Sequence, residues 1–475
     1  MDEILTPWVL TETRAIALAA LHFAFAGAVT VHALMNKRDV PAAIGWIGMA
    51  WLAPIAGALL YLGFGVNRVK RRARLLKRSP DEAPRAATSE EAAVPPIERM
   101  KIAVGNITGQ ELNLGKIVGV FKCGDEAYPK MLAAIDAAET SVDLSTFIFR
   151  TDDAGRPFIE ALARAHRRGV AVRVLIDGFG GGFLRSPAYH ALRAEGVPVA
   201  RFLHSALPWK MPFLNLRLHK KSLVIDHAAA FIGGLNIGAE NVIAGKPKSP
   251  VRDVHFRVEG PVVRQIQQDF DYDWAFTRGE KPIEAPRGTE PASSSESAGR
   301  AIVSGPDQEV DPLPLVLASA VNLAQRSIRI ATPYFLPDED LVTALQLAAL
   351  RGVEVHLVLP AVNNHVVVGW AAQAHVRPLL AAGCHIWRDP PPFDHAKLMT
   401  VDGVWSLIGS ANWDVRSLRL NFELTMELYD AALARQLTDI IDARLVQTLT
   451  LEDIDARPFL VKLRDAAARL MMPYM

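Results

Sequence analysis

The 475-residue sequence has only two cysteines, Cys123 and Cys384, and they lie far apart along the chain. Two cysteines exclude a disulfide framework and a cysteine-rich zinc site, and they fit a reducing compartment. The sequence also has no excess of either charge, because 52 basic residues balance 51 acidic ones and leave a formal charge of +1. Global charge therefore gives no case for a nucleic-acid-binding protein. Because half of the residues are hydrophobic, the chain as a whole is not disordered or collagen-like.

Charge is locally absent from two long runs near the start of the chain. Residues 15–35 and 40–67 contain no Asp, Glu, Lys or Arg, and each run is long enough to cross ~30 Å of hydrocarbon as a helix. Only four residues separate the runs, which predicts a transmembrane hairpin. A signal peptide and a pair of buried soluble helices are the alternative interpretations. A basic segment directly follows the second run and favours a cytoplasmic location for the rest of the chain. It consists of Arg68, Lys70, Arg71, Arg72, Arg74, Lys77 and Arg78.

Two segments rich in Pro, Ser, Ala and Glu, 79–100 and 280–299, have the composition of linkers. They predict a division into a membrane hairpin with its basic flank (1–78), a first lobe (101–279) and a second lobe (300–475).

The two lobes repeat each other. Residues 141–149 and 327–335 share a strand-like alternation, and each is followed by a helical pattern that ends in Arg-Gly before an apolar β-branched run, at Gly169 and Gly352. A third helix–glycine–strand unit follows in both lobes, at Gly196 and Gly383. Alternating helices and strands predict an α/β fold, with duplicated lobes whose mixed, largely parallel sheets pack as a pseudo-dimer.

After the third unit each lobe carries the same set of polar residues. The pattern is H-x-K-x(4)-D followed by a small-residue turn and an asparagine, and its members are His219, Lys221, Asp226 and Asn236 in the first lobe and His395, Lys397, Asp402 and Asn412 in the second. One such pattern is weak evidence, but two with the same 17-residue spacing from histidine to asparagine are strong evidence.

These residues fit a phosphate site. Side chains at i and i+2 of a strand share a face, so each histidine and its lysine point the same way. A buried lysine is costly unless an anion meets it. We expect the small residues Gly233, Gly234, Gly409 and Ser410 to let the backbone approach a phosphate closely. The alternative is that the motif residues are ordinary strand residues of duplicated lobes.

The paired motifs resemble the phospholipase D superfamily, and closely the bacterial cardiolipin synthases. The resemblance covers nearly the whole chain and includes the hairpin with its basic flank and residues 252–261, 332–338 and 409–423. It implies two phospholipase D-like lobes that join two phosphatidylglycerol molecules into cardiolipin and release glycerol.

The resemblance further implies that His219 is the nucleophile, forming a phosphohistidine intermediate, and that His395 is the general acid and base. The near-symmetry of the motifs leaves the reverse order open. Lys221, Lys397, Asn236 and Asn412 are expected to hold the phosphoryl oxygens, without a metal or other cofactor. The implied partners are phospholipid and membrane rather than nucleic acid, and the implied location is the inner membrane with both lobes in the cytoplasm.

Each catalytic imidazole also needs a partner on its second nitrogen. Asp253 and Glu423 lie at matching places in the two lobes, and the alternation of their strands puts both on a polar face. We therefore expect them to orient the histidines, although a solvated strand face gives the same pattern. Asp226 and Asp402 complete the catalytic motif, and we expect them to act structurally, at a strand end or lobe contact.

Two other functions remain open on the sequence: hydrolysis of a phosphodiester by the same two-histidine site, and a non-catalytic membrane scaffold that binds lipid. Two apolar segments also stand out. Residues 207–214 form a loop that either contacts the membrane or packs in the core, and residues 459–474 have the pattern of an amphipathic helix, for which packing onto the lobe is favoured.

Overall fold

The structure, a computed structural model, describes residues 7–36, 40–65, 94–182, 185–204, 216–281, 297–306 and 311–470. The basic segment, Lys37, Arg38, the apolar loop 207–214 and most of both linkers lie outside these ranges, so the predictions for them stay predictions.

The N-terminal segment is helical. Its elements are α1 (Pro7–Asn36), α2 (Val40–Leu52), α3 (Pro54–Leu60) and a π-helical turn, Tyr61–Gly65. The second apolar run is broken at Ala53, which has φ −140° and ψ 74° and directly precedes Pro54. The break occurs there because proline lacks an N–H and its ring clashes with the preceding helical turn. Among the described residues, only Arg14–Met35 is long and apolar enough to cross a membrane. The second predicted span is therefore present as two shorter helices.

The N-terminal helices pack on one another through an apolar cluster that includes Val29, Ala33, Trp46 and Ala50. The Tyr61 hydroxyl lies 2.8 Å from His32 Nδ1, which gives each of these polar groups a partner.

The remaining described residues form one compact unit built on two large sheets. In the first half of the chain the strands are β1 (Asn113–Leu114), β2 (Lys116–Lys122), β3 (Ser141–Thr146), β4 (Ala171–Asp177), β5 (Val199–Phe202), β6 (Ser222–Ile225), β7 (Ala229–Gly233), β8 (Val251–Arg252) and β9 (Val254–Glu259). In the second half they are β10 (Ala298–Ser304), β11 (Ser327–Ala331), β12 (Phe335–Leu336), β13 (Glu354–Pro360), β14 (His385–Asp389), β15 (Phe393–Asp394), β16 (Leu398–Val401), β17 (Trp405–Gly409), β18 (Trp413–Asp414), β19 (Glu423–Tyr429) and β20 (Gln447–Leu449).

The helices of this unit are α4 (Pro96–Thr108), α5 (Cys123–Ala137), α6 (Arg156–Arg167), α7 (Pro187–Ala194), α8 (Val263–Arg278), α9 (Pro312–Leu323), α10 (Glu339–Leu350), α11 (Val366–Ala381), α12 (Val415–Arg419), α13 (Ala431–Asp442), α14 (Leu451–Asp455) and α15 (Phe459–Arg469). The prediction that glycines end two of these helices is confirmed. Gly169 and Gly352 follow α6 and α10 with φ of 90° each, a left-handed conformation that glycine adopts without steric cost.

The two sheets have the same strand order. It is β2-β9-β7-β6-β3-β4-β5 in the first and β10-β19-β17-β16-β11-β13-β14 in the second, which β1 and β20 extend at its edges. The predicted α/β fold with mixed sheets is confirmed, but the expectation of largely parallel sheets is wrong. Within the two large sheets, as far as the chain is described, only β3-β4-β5 and β11-β13-β14 pair in parallel. The separate two-stranded pairs β12-β18 and β15-β8 are also parallel. Beyond these βα units the chain returns through hairpins, which are antiparallel by construction.

An apolar layer joins the two sheets. Phe256 and Val258 of β9 belong to the same buried cluster as Leu424, Met426 and Leu428 of β19. Because this layer buries one face of each sheet against the other, the two lobes share a core. That shared core fixes the relative positions of the strands that carry the motifs.

The first predicted lobe begins too early, because residues before β2 belong to the second sheet. Strand β1 pairs with β10, and Met100 and Val104 of α4 lie in the second lobe's core. The reason is apolar surface: the second sheet has an open edge and an apolar face there, which these residues cover.

The C-terminal helix α15 packs on the second lobe, as predicted. Arg464 stacks over the Trp370 ring at 4.2 Å, and Ala468 joins the buried cluster around Ala371. Phe459 and Leu460 at its start remain about three-quarters exposed.

Candidate active site

The two motif histidines sit on extended segments that lead into β6 and β16, and each segment is held by the opposite lobe. The His219 amide donates to the Phe422 carbonyl at 2.9 Å, and the His395 amide donates to the Arg252 carbonyl at 2.7 Å. Phe422 and Arg252 directly precede Glu423 and Asp253. The backbone of each motif is therefore tied to the residue next to a carboxylate of the other lobe.

The imidazoles of His219 and His395 meet in one cavity. Their ring centroids are 6.5 Å apart, with the ring planes at 78° to each other. Both rings line a cavity of about 900 Å³, together with Asn236 and Asn412. The structure thus brings the two histidines predicted from the sequence to a distance that a single phosphate group can bridge.

Each histidine is bound at Nδ1 by a carboxylate of the opposite lobe. His219 Nδ1 lies 2.9 Å from both oxygens of Glu423, and His395 Nδ1 lies 2.9 Å from Asp253 Oδ2. A carboxylate only accepts, so we assign the Nδ1 proton to each bond, which leaves the lone pair on Nε2. The carboxylates predicted to orient the histidines do contact them, but crosswise between lobes.

The Glu423 carboxylate has further partners that sequence reasoning missed. The Ser410 hydroxyl donates to Glu423 Oε2 at 2.6 Å, and the side-chain amide of Asn421 donates from Nδ2 to Glu423 Oε1 at 3.2 Å. Burial raises the pKa of Glu423, but the interaction with His219, followed by the charge of Lys221 and the Ser410 bond, outweighs burial and holds that pKa below its usual value. Burial raises the pKa of Asp253, whose positive neighbours, Lys397 first, offset only part of that effect.

The two motif lysines are buried beside the histidines. Lys221 Nζ donates to the His219 carbonyl at 2.6 Å and lies 5.3 Å from the centre of the Phe147 ring. Lys397 Nζ donates to the His395 carbonyl and lies 2.8 Å from His395 Nδ1. Burial lowers the pKa of Lys221 to about 7 and that of Lys397 to about 8. Two buried lysines next to the histidines favour an anion at the imidazoles.

Burial also lowers the pKa of both imidazoles. The pKa of His219 falls to about 4, against the opposing effect of Glu423. The pKa of His395 falls well below its usual value, through burial and then the charge of Lys397. At neutral pH both histidines are therefore uncharged before an anion binds, and a neutral imidazole is the nucleophilic form.

The two motif asparagines lie on the cavity wall. The side-chain oxygen Oδ1 of Asn236 accepts a hydrogen bond from the backbone N–H of Ile148 at 3.2 Å, and this bond fixes the orientation of the Asn236 side chain. The Asn412 amide donates to the Ser417 hydroxyl at 3.2 Å.

The motif aspartates hold a turn in their own lobe and do not line the cavity. Asp226 accepts hydrogen bonds from the backbone amides of Glu139, Thr140 and Ser141, and Asp402 accepts from those of Gln325, Arg326 and Ser327. Each carboxylate therefore fixes the start of the central strand, β3 or β11. This supports the structural role expected for Asp226 and Asp402 and argues against counting them as catalytic groups.

The glycines of the turns leave room for neighbouring protein atoms, and their approach to a phosphate stays a prediction. A Cβ on Gly233, whose φ is 151°, would lie 2.6 Å from His255 Nδ1, and one on Gly409, whose φ is 143°, would lie 2.4 Å from the Leu424 carbonyl oxygen. A Cβ on Gly234 would lie 2.3 Å from an Asp253 carboxylate oxygen. These glycines let β9 and β19 bring their carboxylates close to the histidines.

Aromatic and cationic side chains complete the cavity wall, and sequence reasoning gave them no role. Tyr334 has its ring 6.1 Å from that of His395, and Phe147 has its ring 5.2 Å from that of His219. The cavity is also lined by Arg150, Arg217 and Arg416. Arg217 lies two residues before His219 and Arg416 lies four residues after Asn412. The same offsets in the other lobe carry different residues, and this difference was a signal available in the sequence for these two arginines.

Known proteins resemble this chain over most of its length. A family described as "Cardiolipin synthase, PLD-like domain" matches residues 131–274 and 317–445. A protein of Geobacillus kaustophilus named cardiolipin synthase is 33% identical and covers 92% of this chain and 90% of its own. The major cardiolipin synthase ClsA of Bacillus subtilis is 30% identical, with 92% of this chain and 94% of its own covered.

A solved structure supports the fold. The crystal structure of phosphatidylserine synthase from Haemophilus influenzae matches 79% of this chain and 100% of its own with a TM-score of 0.59, at 14% sequence identity. With matched segments in both lobes and relatives that align over at least 90% of both chains, the chain belongs to the PLD-like family of cardiolipin synthases.

Proposed function

We propose that this protein is a cardiolipin synthase, a phosphatidyltransferase that moves a phosphatidyl group from one phosphatidylglycerol to another and releases glycerol. The observation that carries the proposal is the pair of imidazoles, one from each lobe, facing one cavity with their ring centroids 6.5 Å apart. The family membership supports the same activity.

In the first half-reaction His219 Nε2 attacks the phosphorus of the donor lipid. A nitrogen–phosphorus bond forms as the bond to the glycerol oxygen breaks, and His395 gives that oxygen its proton. Lys221, Lys397, Asn236 and Asn412 stabilise the charge on the non-bridging oxygens. The products are a phosphatidyl-His219 intermediate and free glycerol.

In the second half-reaction the hydroxyl of the acceptor phosphatidylglycerol attacks the same phosphorus. His395 takes the hydroxyl proton, the bond to His219 breaks, and cardiolipin leaves with both histidines regenerated. His395 needs a proton in the first step although burial keeps its pKa low. The negative charge of the bound phosphodiester supplies the opposing effect, because a nearby anion favours the imidazolium.

We further propose the finer organisation expected from the sequence. The two lobes act as a pseudo-dimer, the N-terminal helices form a two-span hairpin in the inner membrane, and the lobes lie in the cytoplasm. The apolar run of α1 and the basic segment 68–78 support this arrangement.

The test uses the purified full-length protein in phosphatidylglycerol liposomes. Wild-type protein should release one glycerol for each cardiolipin formed, whereas a hydrolase would release phosphatidic acid. His219→Asn and His395→Asn should each abolish turnover, and His190→Asn, at an exposed histidine, serves as the matched control. Normal turnover by either active-site variant would refute the two-histidine reaction. If wild-type protein formed no lipid product, the remaining interpretation would be the non-catalytic scaffold that binds lipid.

The order of the histidines is tested by trapping the intermediate. With labelled lipid and acid-labile, base-stable phosphohistidine as the readout, His395→Asn should retain some label on His219, while His219→Asn should have none. Label on His395 instead would reverse the assignment.

A further inference from the structure

The cavity is less symmetric than the lobes that form it. Position 217, two residues before His219, corresponds to position 393, two residues before His395; the residues are Arg217 and Phe393. Position 240, four residues after Asn236, corresponds to position 416, four after Asn412; the residues are Glu240 and Arg416. All four side chains line the cavity. At each of these two pairs of corresponding positions, one lobe has an arginine and the other lobe has a different residue.

The two arginines belong to opposite lobes but are neighbours in space. The Phe422 amide donates to the Arg217 carbonyl at 2.8 Å, and the amide of the adjacent residue, Asn421, donates to the Arg416 carbonyl at 2.9 Å. Two consecutive residues thus hold the backbones of both arginines. The Arg217 guanidinium stacks on Phe179 at 4.2 Å and donates from Nη1 to the Leu216 carbonyl at 2.8 Å. A guanidinium has five N–H donors, so this group can bind a further acceptor.

The opposite end of the cavity has no such pair of cations. There Glu240 is neutralised by Arg150, whose Nε lies 2.8 Å from the carboxylate, and the counterpart of Arg217 is the aromatic ring of Phe393, 6.1 Å from His395. Two arginines therefore line one end of the cavity, whereas a single arginine paired with a glutamate lines the other.

The two guanidinium groups repel each other, and the carboxylates of Asp177, Asp414 and Glu423 offset part of that repulsion. Burial, followed by the repulsion from Arg416, lowers the pKa of Arg217 to about 10, despite the attraction of Asp177. The carboxylates near the pair already accept backbone hydrogen bonds: Asp177 from Phe179, Gly180 and Leu218, and Asp414 from Ser417. A bidentate oxyanion is the ligand that two such guanidinium groups fit.

We propose that Arg217 and Arg416 bind the phosphate of the acceptor lipid, and so determine which end of the cavity receives it. This inference rests on the proposed function. Synthesis of cardiolipin requires two phosphates in the site: the one that reacts between the histidines, and the one joined to the attacking hydroxyl through a three-carbon bridge. The lysine and asparagine pairs serve the first phosphate, and the arginine pair serves the second.

The test compares two acceptors that differ only by a phosphate, glycerol and glycerol 3-phosphate. Either one attacks the phosphatidyl-histidine through a hydroxyl, whose proton passes to His395, and the product is phosphatidylglycerol or its phosphate. We expect wild-type protein to prefer glycerol 3-phosphate. Arg217→Gln and Arg416→Gln should each lower kcat/KM for that acceptor by about tenfold or more, the effect of losing a charge-assisted hydrogen bond, and should lower transfer to glycerol far less.

Two further variants complete the comparison. Arg278→Gln, at an arginine 53% exposed that pairs with Glu280, should leave the preference unchanged, and Arg217→Lys should keep part of it. Equal losses with both acceptors would mean that the arginines serve the reacting phosphate or the fold, and unchanged kinetics would mean that they bind no substrate; either result overturns the proposal. Failure of wild type to form cardiolipin at all would instead refute the proposed function.

Discussion

Glu423 of the second lobe binds the Nδ1 of His219 in the first lobe through both of its carboxylate oxygens at 2.9 Å. The reciprocal bond joins His395 to Asp253 of the first lobe. Neither lobe therefore contains a complete histidine–carboxylate pair of its own. The active site exists only where the two sheets meet.

Replacing the carboxylate should damage catalysis more than binding. In Glu423→Gln the amide offers a donor to Nδ1, which favours the wrong imidazole tautomer. We expect kcat to fall by about a hundredfold or more with little change in KM, as when other histidines lose their orienting carboxylate. Steady-state kinetics in mixed micelles checks this. Asp253→Asn should act in the same way through His395, and Glu452→Gln, at an exposed position, is the control. An unchanged kcat in both active-site variants would contradict the orienting role.

The motif aspartates should affect stability rather than chemistry. Asp226→Ala removes the acceptor of three backbone amides and should lower the free energy of unfolding by about 1–3 kcal/mol. The cost is measured by thermal or denaturant unfolding, alongside the activity of the folded fraction, which should stay near wild type. Asp402→Ala provides the matched change in the second lobe.

The contribution of Asp226 to the free energy of unfolding should also decrease at acidic pH. Burial opposes its ionisation, but its hydrogen bonds with residues 139–141 outweigh that effect and lower its pKa. A carboxyl with a lowered pKa in the folded protein adds stability above its unfolded pKa, about 4, and that contribution is lost as the pH falls through the folded value. The stability difference between wild type and Asp226→Ala should therefore shrink below about pH 4. A difference that grew in acid would contradict this assignment.

The lysines should set the alkaline limit of activity. Burial places the pKa of Lys221 at about 7 and that of Lys397 at about 8 in the free protein. Only the protonated lysines attract the phosphodiester, so kcat/KM should fall as the pH rises above about 7 to 8. The acidic limit should lie well below neutral, because the pKa of His219 is about 4. Lys221 has the lower of the two pKa values and should lose its proton first. Lys221→Arg keeps its charge at high pH and should therefore move the alkaline limit upward, to about pH 8, even with a lower rate. An unshifted limit would assign the titration to another group.

A buried ion cluster behind the first motif should be essential to the fold. Lys220 Nζ lies 2.5 Å from Asp269 and 2.6 Å from Asp273, whereas the corresponding residue of the second lobe is the buried Ala396. Lys220→Ala leaves two buried carboxylates without this cation and should cost about 3–5 kcal/mol.

The control for that change removes the stranded charges as well. Lys220→Ala combined with Asp269→Asn and Asp273→Asn should regain much of the lost stability in denaturant unfolding. If the triple variant were as unstable as the single one, packing rather than charge would explain the loss.

The sequence predicted the site better than the fold. The two motifs and the carboxylates Asp253 and Glu423 follow from spacing and alternation, which are local properties. The crosswise pairing of those carboxylates depends on how the two sheets pack, and no local pattern encodes it. The sheets were expected to be largely parallel because the first three units of each lobe alternate helix and strand. The hairpin of β6 and β7 has no glycine–asparagine turn signal, since left-handed residues Asp226 and His227 form it.

Strand β1 lies at the edge of a sheet whose neighbouring strand, β10, is made 184 residues later. At a synthesis rate of about 5–20 residues per second, Leu114 leaves the ribosome roughly 10–40 s before Ala298, its partner. During that interval the α4–β1 segment has no native surface to cover, while the first sheet can already close behind it. A newly made chain must therefore keep this short segment out of wrong pairings until β10, its partner strand, has been made.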